Sequence, residues 1–128
     1  MMTRPDLARA TGRRLAPLVA LALLLAGSPG AAADLPVLVV FLSSPVAPFG
    51  DATLQIQTAS GAACTIDVIY KSGPSRAKGL IPQVADARGW ITWRWVVGSN
   101  TTRGRWPILV TCERGRDLGR LETSFEVR

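Results

Sequence analysis

The two cysteines are the residues whose type and spacing point most directly to a chemistry. Cys64 and Cys112 are the only cysteines of the chain. They lie in the runs ACTIDVIY and PILVTCE, where alternating apolar residues place each cysteine on the core face of a strand. Oxidation of the pair would close a loop of about 48 residues and contribute roughly 4 kcal/mol on the chain-entropy model. We therefore predict a Cys64–Cys112 disulfide.

Few other residues could support catalysis, because the chain has no histidine and so lacks the usual general base and the commonest metal ligand. Asp67 and Glu113 fall on neighbouring predicted strands, so a hydrolase that uses this pair is an open alternative to two solvated acids; it needs carboxylates about 5 to 9.5 Å apart. Asp51, Asp86 and Asp117 lie near turn glycines, where a calcium site is a further alternative to backbone hydrogen bonding. We expect no enzyme activity, no cofactor and no metal.

The N-terminal segment has the three parts of an export signal. Its basic lead contains Arg4, Arg9, Arg13 and Arg14. The apolar run LAPLVALALLLAG and the small-residue segment GSPGAAA follow. This run is shorter than the roughly 20 residues that span a bilayer, so we predict a signal peptide over 1–33, cleavage after Ala33 and no membrane span afterwards. Sec export is favoured over the twin-arginine route, which Arg13 and Arg14 match only in part. The expected location is extracellular or in the cell envelope.

The remaining chain, 34–128, is long enough for one domain. It holds 11 of the 15 basic residues and 8 of the 9 acidic residues, a net charge of +3. Short alternating apolar runs predict strands and no helix. The predicted strands are 36–43, 52–58, 63–71, 90–97, 105–113 and 119–127. The gap at 72–89 is predicted to be a long loop with at most a short edge strand near 80–84.

About seven short strands, each with one apolar face, favour an all-β fold in which two antiparallel sheets pack face to face as an immunoglobulin-like sandwich. In this arrangement Cys64 opens the third strand and Cys112 ends a strand beside it, so the bond would join neighbours in one sheet. If the first run is an extra strand, the disulfide would instead link the two sheets. Trp93, Trp95 and Trp106 share the core phase, whereas Trp90 has the opposite phase.

The segments ATLQIQT, CTIDVIYKSGPSRAKGL and ADARGWITWRWVVGSNTTRGRWPILVTC resemble the immunoglobulin-like or fibronectin III-like β-sandwich modules of bacterial exported and cell-surface proteins. The resemblance covers about 51–127. It implies a stalk, spacer, adhesion unit or binding unit, and it carries no shared catalytic residues. Because this module stands alone, binding is favoured over a purely spacing role.

Candidate binding residues are those predicted to point away from the core. They are Arg76 and Lys78 on the long loop, Trp90 beside it, and Ile69 and Leu109 on the outer face of neighbouring strands. The basic residues are too dispersed for specific nucleic-acid binding. We predict a secreted, non-catalytic binding or adhesion module that contacts an extracellular protein or an anionic cell-wall polymer. The alternative is a small exported regulator that inhibits an extracellular enzyme through the 72–89 loop.

Overall fold

A computed structural model describes residues 32–128, which contain eight β-strands and no helix. The strands are β1 (Leu38–Leu42), β2 (Asp51–Gln57), β3 (Ala63–Tyr70), β4 (Gly73–Pro74), β5 (Gln83–Val84), β6 (Trp90–Val96), β7 (Gly104–Arg114) and β8 (Asp117–Val127). The predicted all-β class is confirmed, and the ends of the six predicted strands differ from prediction by at most two residues. The short edge strand expected near 80–84 is β5, whereas β4 was not predicted. The predicted leader lies outside the described residues except for its last two positions.

The strands form two antiparallel sheets. One has the order β1-β2-β6; the other has the order β4-β3-β7-β8, with β5 also paired to β3. The apolar faces of both sheets contribute to one buried cluster. Trp95 of β6 contacts Phe125 of β8 edge to face, with ring centroids 5.7 Å apart. The domain is therefore a β-sandwich-like pair of sheets around a shared core.

Alternation along the strands follows the predicted phase. In β3 the buried side chains are Cys64, Ile66 and Val68, and in β6 they include Trp93 and Trp95. Trp106 is only partly buried, at the margin of the core. The phase rule holds because each of these strands has one face against the opposite sheet and one face outward.

The Cys64–Cys112 disulfide is present, and it joins two strands of the same sheet. The two cysteines are direct cross-strand partners in the β3–β7 ladder. Their Cα atoms are 4.0 Å apart, and both side chains are buried. The arrangement with neighbouring strands is confirmed, and the alternative in which the bond links the two sheets is wrong.

The segment before β2 contacts both sheets. Asp34 forms a parallel bridge with Leu118 at the start of β8, and Val46 forms another with Val127 at its end. Between these two points the chain leaves β8 and pairs with β2 as strand β1. The edge of β8 is thus covered at both ends, while β1 becomes an edge of the three-stranded sheet.

Candidate binding surface

The 72–89 segment lies along the free side of β6 and is hydrogen-bonded to it. Gln83 Nε2 donates to the carbonyl oxygen of Thr92 over 2.9 Å. Trp93 Nε1, from a buried indole, donates to the carbonyl oxygen of Ile81 over 2.8 Å. The first bond gives a partner to a backbone carbonyl of β6, and the second gives one to a buried indole N–H. The segment is therefore a fixed part of the domain surface.

Several side chains of this segment point into solvent. Arg76 and Lys78 are exposed and make no hydrogen bond or ion pair with any described residue. Ile81 and Val84 are 58% and 67% exposed. The segment thus presents two basic and two apolar side chains that are available for contact, although binding by Arg76 and Lys78 stays a prediction.

Trp90 lies at the start of β6, on the outer face as its phase predicts, and it is partly buried. It borders a shallow depression of about 320 Å³ that Gln55 and Thr92 also line. Gln55 Nε2 donates to Thr92 Oγ1 over 3.2 Å, so these two polar groups already bind each other. Asp86 and Arg88 line the depression as well, so it places an aromatic residue beside polar and charged ones. Such a shallow surface is suited to a weak contact rather than to an enclosed ligand.

A tight turn before β6 fixes the position of Trp90. Asp86 Oδ1 accepts the backbone N–H groups of Trp90 and Arg88, each over 2.9 Å. The bond from Trp90 lowers the pKa of Asp86 most, with further lowering from the Arg88 N–H and its charge. Asp86 therefore serves the backbone of the turn, as aspartate commonly does near glycine.

Ile69 and Leu109 lie on the outer face of neighbouring strands, as predicted, but they do not form a continuous apolar spot. Leu109 is paired with Asp67 on one side and with Glu122 on the other. Ile69 is half-buried and faces Pro74 of β4. A binding role for Ile69 and Leu109 stays a prediction, and the flanking carboxylates would disfavour a purely apolar partner.

Asp67 and Glu113 are not opposite each other in the β3–β7 ladder. Glu113 pairs with Ala63, and Asp67 lies four positions further along β3. At about 3.4 Å per residue this offset separates the two Cα positions by roughly 14 Å. The register thus does not place these carboxylates as a facing pair, as the hydrolase alternative requires.

Strand β1 carries the longest run of exposed apolar residues within 32–128, and none of its residues was predicted to bind. Leu38, Val39, Val40 and Phe41 are 59%, 41%, 43% and 53% exposed. Val40 is the extra residue of an irregularity in the β1–β2 ladder, between the pairs Val39–Ile56 and Phe41–Gln55. These four residues are called the β1 patch below. Four consecutive exposed apolar side chains on an edge strand are unusual in natural sheets, which commonly protect an edge with charge.

A sequence signal for the β1 patch does exist. The run VLVVFL contains no polar residue, so it has no outward polar face of the kind found in the later strands. Such a run fits a strand covered on both faces. A strand at the edge of a sheet is not covered on both faces by its own domain. An apolar run at this position therefore leaves surface that another molecule could cover.

A second exposed aromatic residue lies in the β1–β2 connection. Phe49 is 74% exposed and has a φ of 72°. Its backbone N–H donates to the carbonyl oxygen of Val97 over 2.8 Å, beside Val96, which is 51% exposed. A non-glycine residue seldom adopts this left-handed conformation, and such outliers cluster at functional sites. Phe49 and Val96 therefore add exposed apolar surface to that of the β1 patch.

Metal-ligating side chains are dispersed over the described part of the chain. No group of three or more Cys, Asp or Glu residues that could hold a metal ion occurs within 32–128. Of the aspartates considered for calcium, Asp117 Oδ1 accepts the backbone N–H of Ala33 over 2.9 Å. A search of the same residues finds no helix long and apolar enough to cross a membrane. No protein-family model matches the chain, and no curated protein matches it significantly.

Proposed function

We propose that this chain is an exported, non-catalytic immunoglobulin-like binding module that acts at or beyond the cell surface. The observation that carries the proposal is the β1 patch, since an exposed apolar surface on an otherwise well-packed small domain commonly marks an interaction site. The sheet order supports the immunoglobulin-like assignment: strands one, two and six face a sheet built around strands three, seven and eight. The predicted leader and the buried disulfide support export to an oxidising compartment.

The partner classes that fit are an extracellular protein, at the β1 patch, and an anionic cell-wall polymer, at Arg76 and Lys78. These two surfaces differ in chemistry and so in their response to salt. Contacts through the apolar patch would be insensitive to ionic strength, whereas contacts through exposed basic residues would weaken as salt screens the charges. No feature of the described residues favours specific nucleic-acid binding.

A capture experiment with matched variants tests the proposal. The full chain is expressed with export, the recovered protein is immobilised, and binding of purified secreted proteins and of a soluble polyanion is measured in low and high salt. We expect salt-resistant capture of a protein that Val40→Lys abolishes and Val84→Lys preserves, or salt-sensitive polyanion capture that the Arg76→Ala/Lys78→Ala variant abolishes. Absence of both, with all variants folded, would refute a binding role.

The attachment of the 72–89 segment to β6 supports the second candidate, an inhibitor of an extracellular enzyme. An inhibitory loop must resist cleavage while it occupies an active-site cleft, and pre-organisation reduces the ordering cost on binding. The hydrogen bonds from Gln83 and Trp93 hold the segment against β6. Trypsin would cut a mobile segment after Arg76, Lys78 or Arg88. We expect slow cleavage at these sites in the folded protein, and rapid cleavage there would remove this candidate.

A further inference from the structure

We infer that the β1 patch pairs with the β1 patch of a second copy of this chain, as an antiparallel extension of the three-stranded sheet. The inference rests on the proposed function and names the partner of that surface. The product would be a twofold dimer with a six-stranded sheet of order β6-β2-β1-β1-β2-β6. Such pairing adds backbone hydrogen bonds along the edge and packs apolar side chains on both sides of it.

The edge of β1 is available for this pairing. Its backbone is paired with β2 on one side, and no backbone hydrogen bond beyond that ladder involves 38–42 within the described residues. The 72–89 segment covers the β6 edge, and the bridges at Asp34 and Val46 cover both ends of the β8 edge. Among the sheet edges, β1 is therefore one that is open along its whole length, and every residue of it is apolar.

The charge pattern around β1 favours a like partner. Residues 35–50 contain no charged side chain, so two copies can approach here without like charges meeting. An apolar residue occupies every position of Leu38–Leu42. The bulge at Val40 puts Leu38 and Phe41 on the outer face of the sheet and Val39 and Leu42 on its core face. A twofold axis at Val40 would therefore bring only apolar side chains together on either face of the extended sheet.

The exposed area predicts how strong the dimer is. At the exposed fractions of its four residues, the β1 patch amounts to roughly 350 Å² per copy, within the usual size of a functional apolar patch. Two copies would bury roughly twice that area, below the standard size of about 1,600 Å² for a stable complex. We therefore expect a weak dimer whose population rises with protein concentration. Because the pairing uses the β1 edge of both copies, association through this surface should stop at the dimer.

Sedimentation of the exported protein over a concentration series tests the inference, with the N-terminus determined by mass spectrometry. The variants are Val40→Lys and Val40→Glu, with Val84→Lys and Val84→Glu as controls, since Val84 is an equally apolar exposed valine on a different edge. Each Val40 variant should associate at least about tenfold more weakly than wild type, because it places like charges opposite each other at the twofold axis. An equimolar mixture of the two Val40 variants should associate again. The Val84 variants should behave as wild type.

The charge-swap mixture keeps the test independent of folding defects, because a misfolded variant would not be rescued by its counterpart. A wild type that stays monomeric at millimolar concentration would overturn the inference, as would equal weakening by the Val84 variants or association beyond the dimer. A monomeric wild type that still captures a secreted protein through Val40 would overturn the self-pairing alone and leave the binding module intact. A wild type that dimerises through Val40 but captures neither a protein nor the polyanion would overturn the binding module and leave the self-pairing intact.

Discussion

Trp95 donates its indole N–H to the hydroxyl of Tyr70 over 3.3 Å, across the interface between the two sheets. Trp95 is on β6 and almost fully buried, whereas Tyr70 ends β3 and is half-buried. The Tyr70 ring also contacts Trp106 edge to face, with centroids 6.1 Å apart. A single phenol thus gives the buried indole its acceptor and fills the margin of the core. The hydroxyl therefore has a specific structural role.

The Tyr70→Phe variant tests that role. The ring contacts remain, but the N–H of Trp95 loses its acceptor within a largely desolvated site, so the free energy of unfolding should fall by about 1 kcal/mol. Urea unfolding followed by tryptophan fluorescence measures the change. An unchanged midpoint and slope would mean that water replaces the hydroxyl and that the inter-sheet bond adds no stability.

The alkaline pH dependence of stability should change in the same variant. Burial raises the pKa of Tyr70, and the bond from Trp95 offsets part of this increase. The unfolded state therefore loses its phenolic proton first, so the associated stability is complete below pH 10 or so and is lost as pH rises through the pKa of the folded protein. Tyr70 is the only tyrosine, so tyrosinate absorbance reports on this group alone. A midpoint at or below that of the urea-unfolded chain would contradict the prediction, and Tyr70→Phe should remove this part of the pH dependence.

Removal of the disulfide should cost a large share of the stability of a domain of this size. Cys64→Ala/Cys112→Ala restores the freedom of a loop of about 48 residues in the unfolded chain, which corresponds to roughly 4 kcal/mol on the chain-entropy model. Urea unfolding of this variant is compared with that of the reduced wild type, which should lose a similar amount. A loss below about 1 kcal/mol would indicate residual structure in the unfolded chain near these residues.

The order of the strands along the chain and the phase of each were predictable because both depend on local alternation. The disulfide was predictable because the chain has only two cysteines. Residues such as Ile66, Val68 and Trp93 are buried on one face of a strand whose other face is polar, and that pattern is readable without tertiary information. The short strand β4 was not predictable, because Gly73 and Pro74 have low strand propensity and pair only as the chain turns back from Tyr70.

The candidate surface was predictable only in part. The outward position of Trp90 follows from its phase, and so do those of Ile69 and Leu109. The carboxylates of Asp67 and Glu122 beside Leu109 follow from the cross-strand register, which alternation alone does not fix. The exposure of the β1 patch depends on which strand occupies the sheet edge. This is a property of topology, and an unbroken apolar run is equally typical of a central strand.

The attachment of the 72–89 segment to β6 should depend on Gly79. Its φ is +95°, and a Cβ at this position would collide with the carbonyl oxygen of Arg94. Gly79→Ala should therefore displace the segment and lower the free energy of unfolding by more than the roughly 1 kcal/mol that left-handed backbone alone costs an alanine. Gly115→Ala is the matched control, because Gly115 has a φ of +63° and open space where the Cβ would lie. Trypsin cleavage after Arg76 and Lys78 should accelerate in Gly79→Ala only; equal effects of the two variants on stability and cleavage would show that the close approach to Arg94 is unimportant.

Thr58 offers the opposite kind of change, a substitution that should stabilise the domain. Its Oγ1 is buried without a hydrogen-bond partner in the described structure, while its backbone N–H donates to Gly89 over 2.7 Å. Thr58→Val removes the desolvated hydroxyl and keeps the branched shape and the backbone bond, so the free energy of unfolding should rise by about 1 kcal/mol. Thr92→Val is the control: Thr92 Oγ1 accepts Gln55 Nε2 over 3.2 Å, so its loss should lower stability or leave it unchanged. Destabilisation by Thr58→Val in the same urea titration would mean that the Thr58 hydroxyl is hydrogen-bonded in solution, and it would contradict the reading of that site as an unsatisfied polar group.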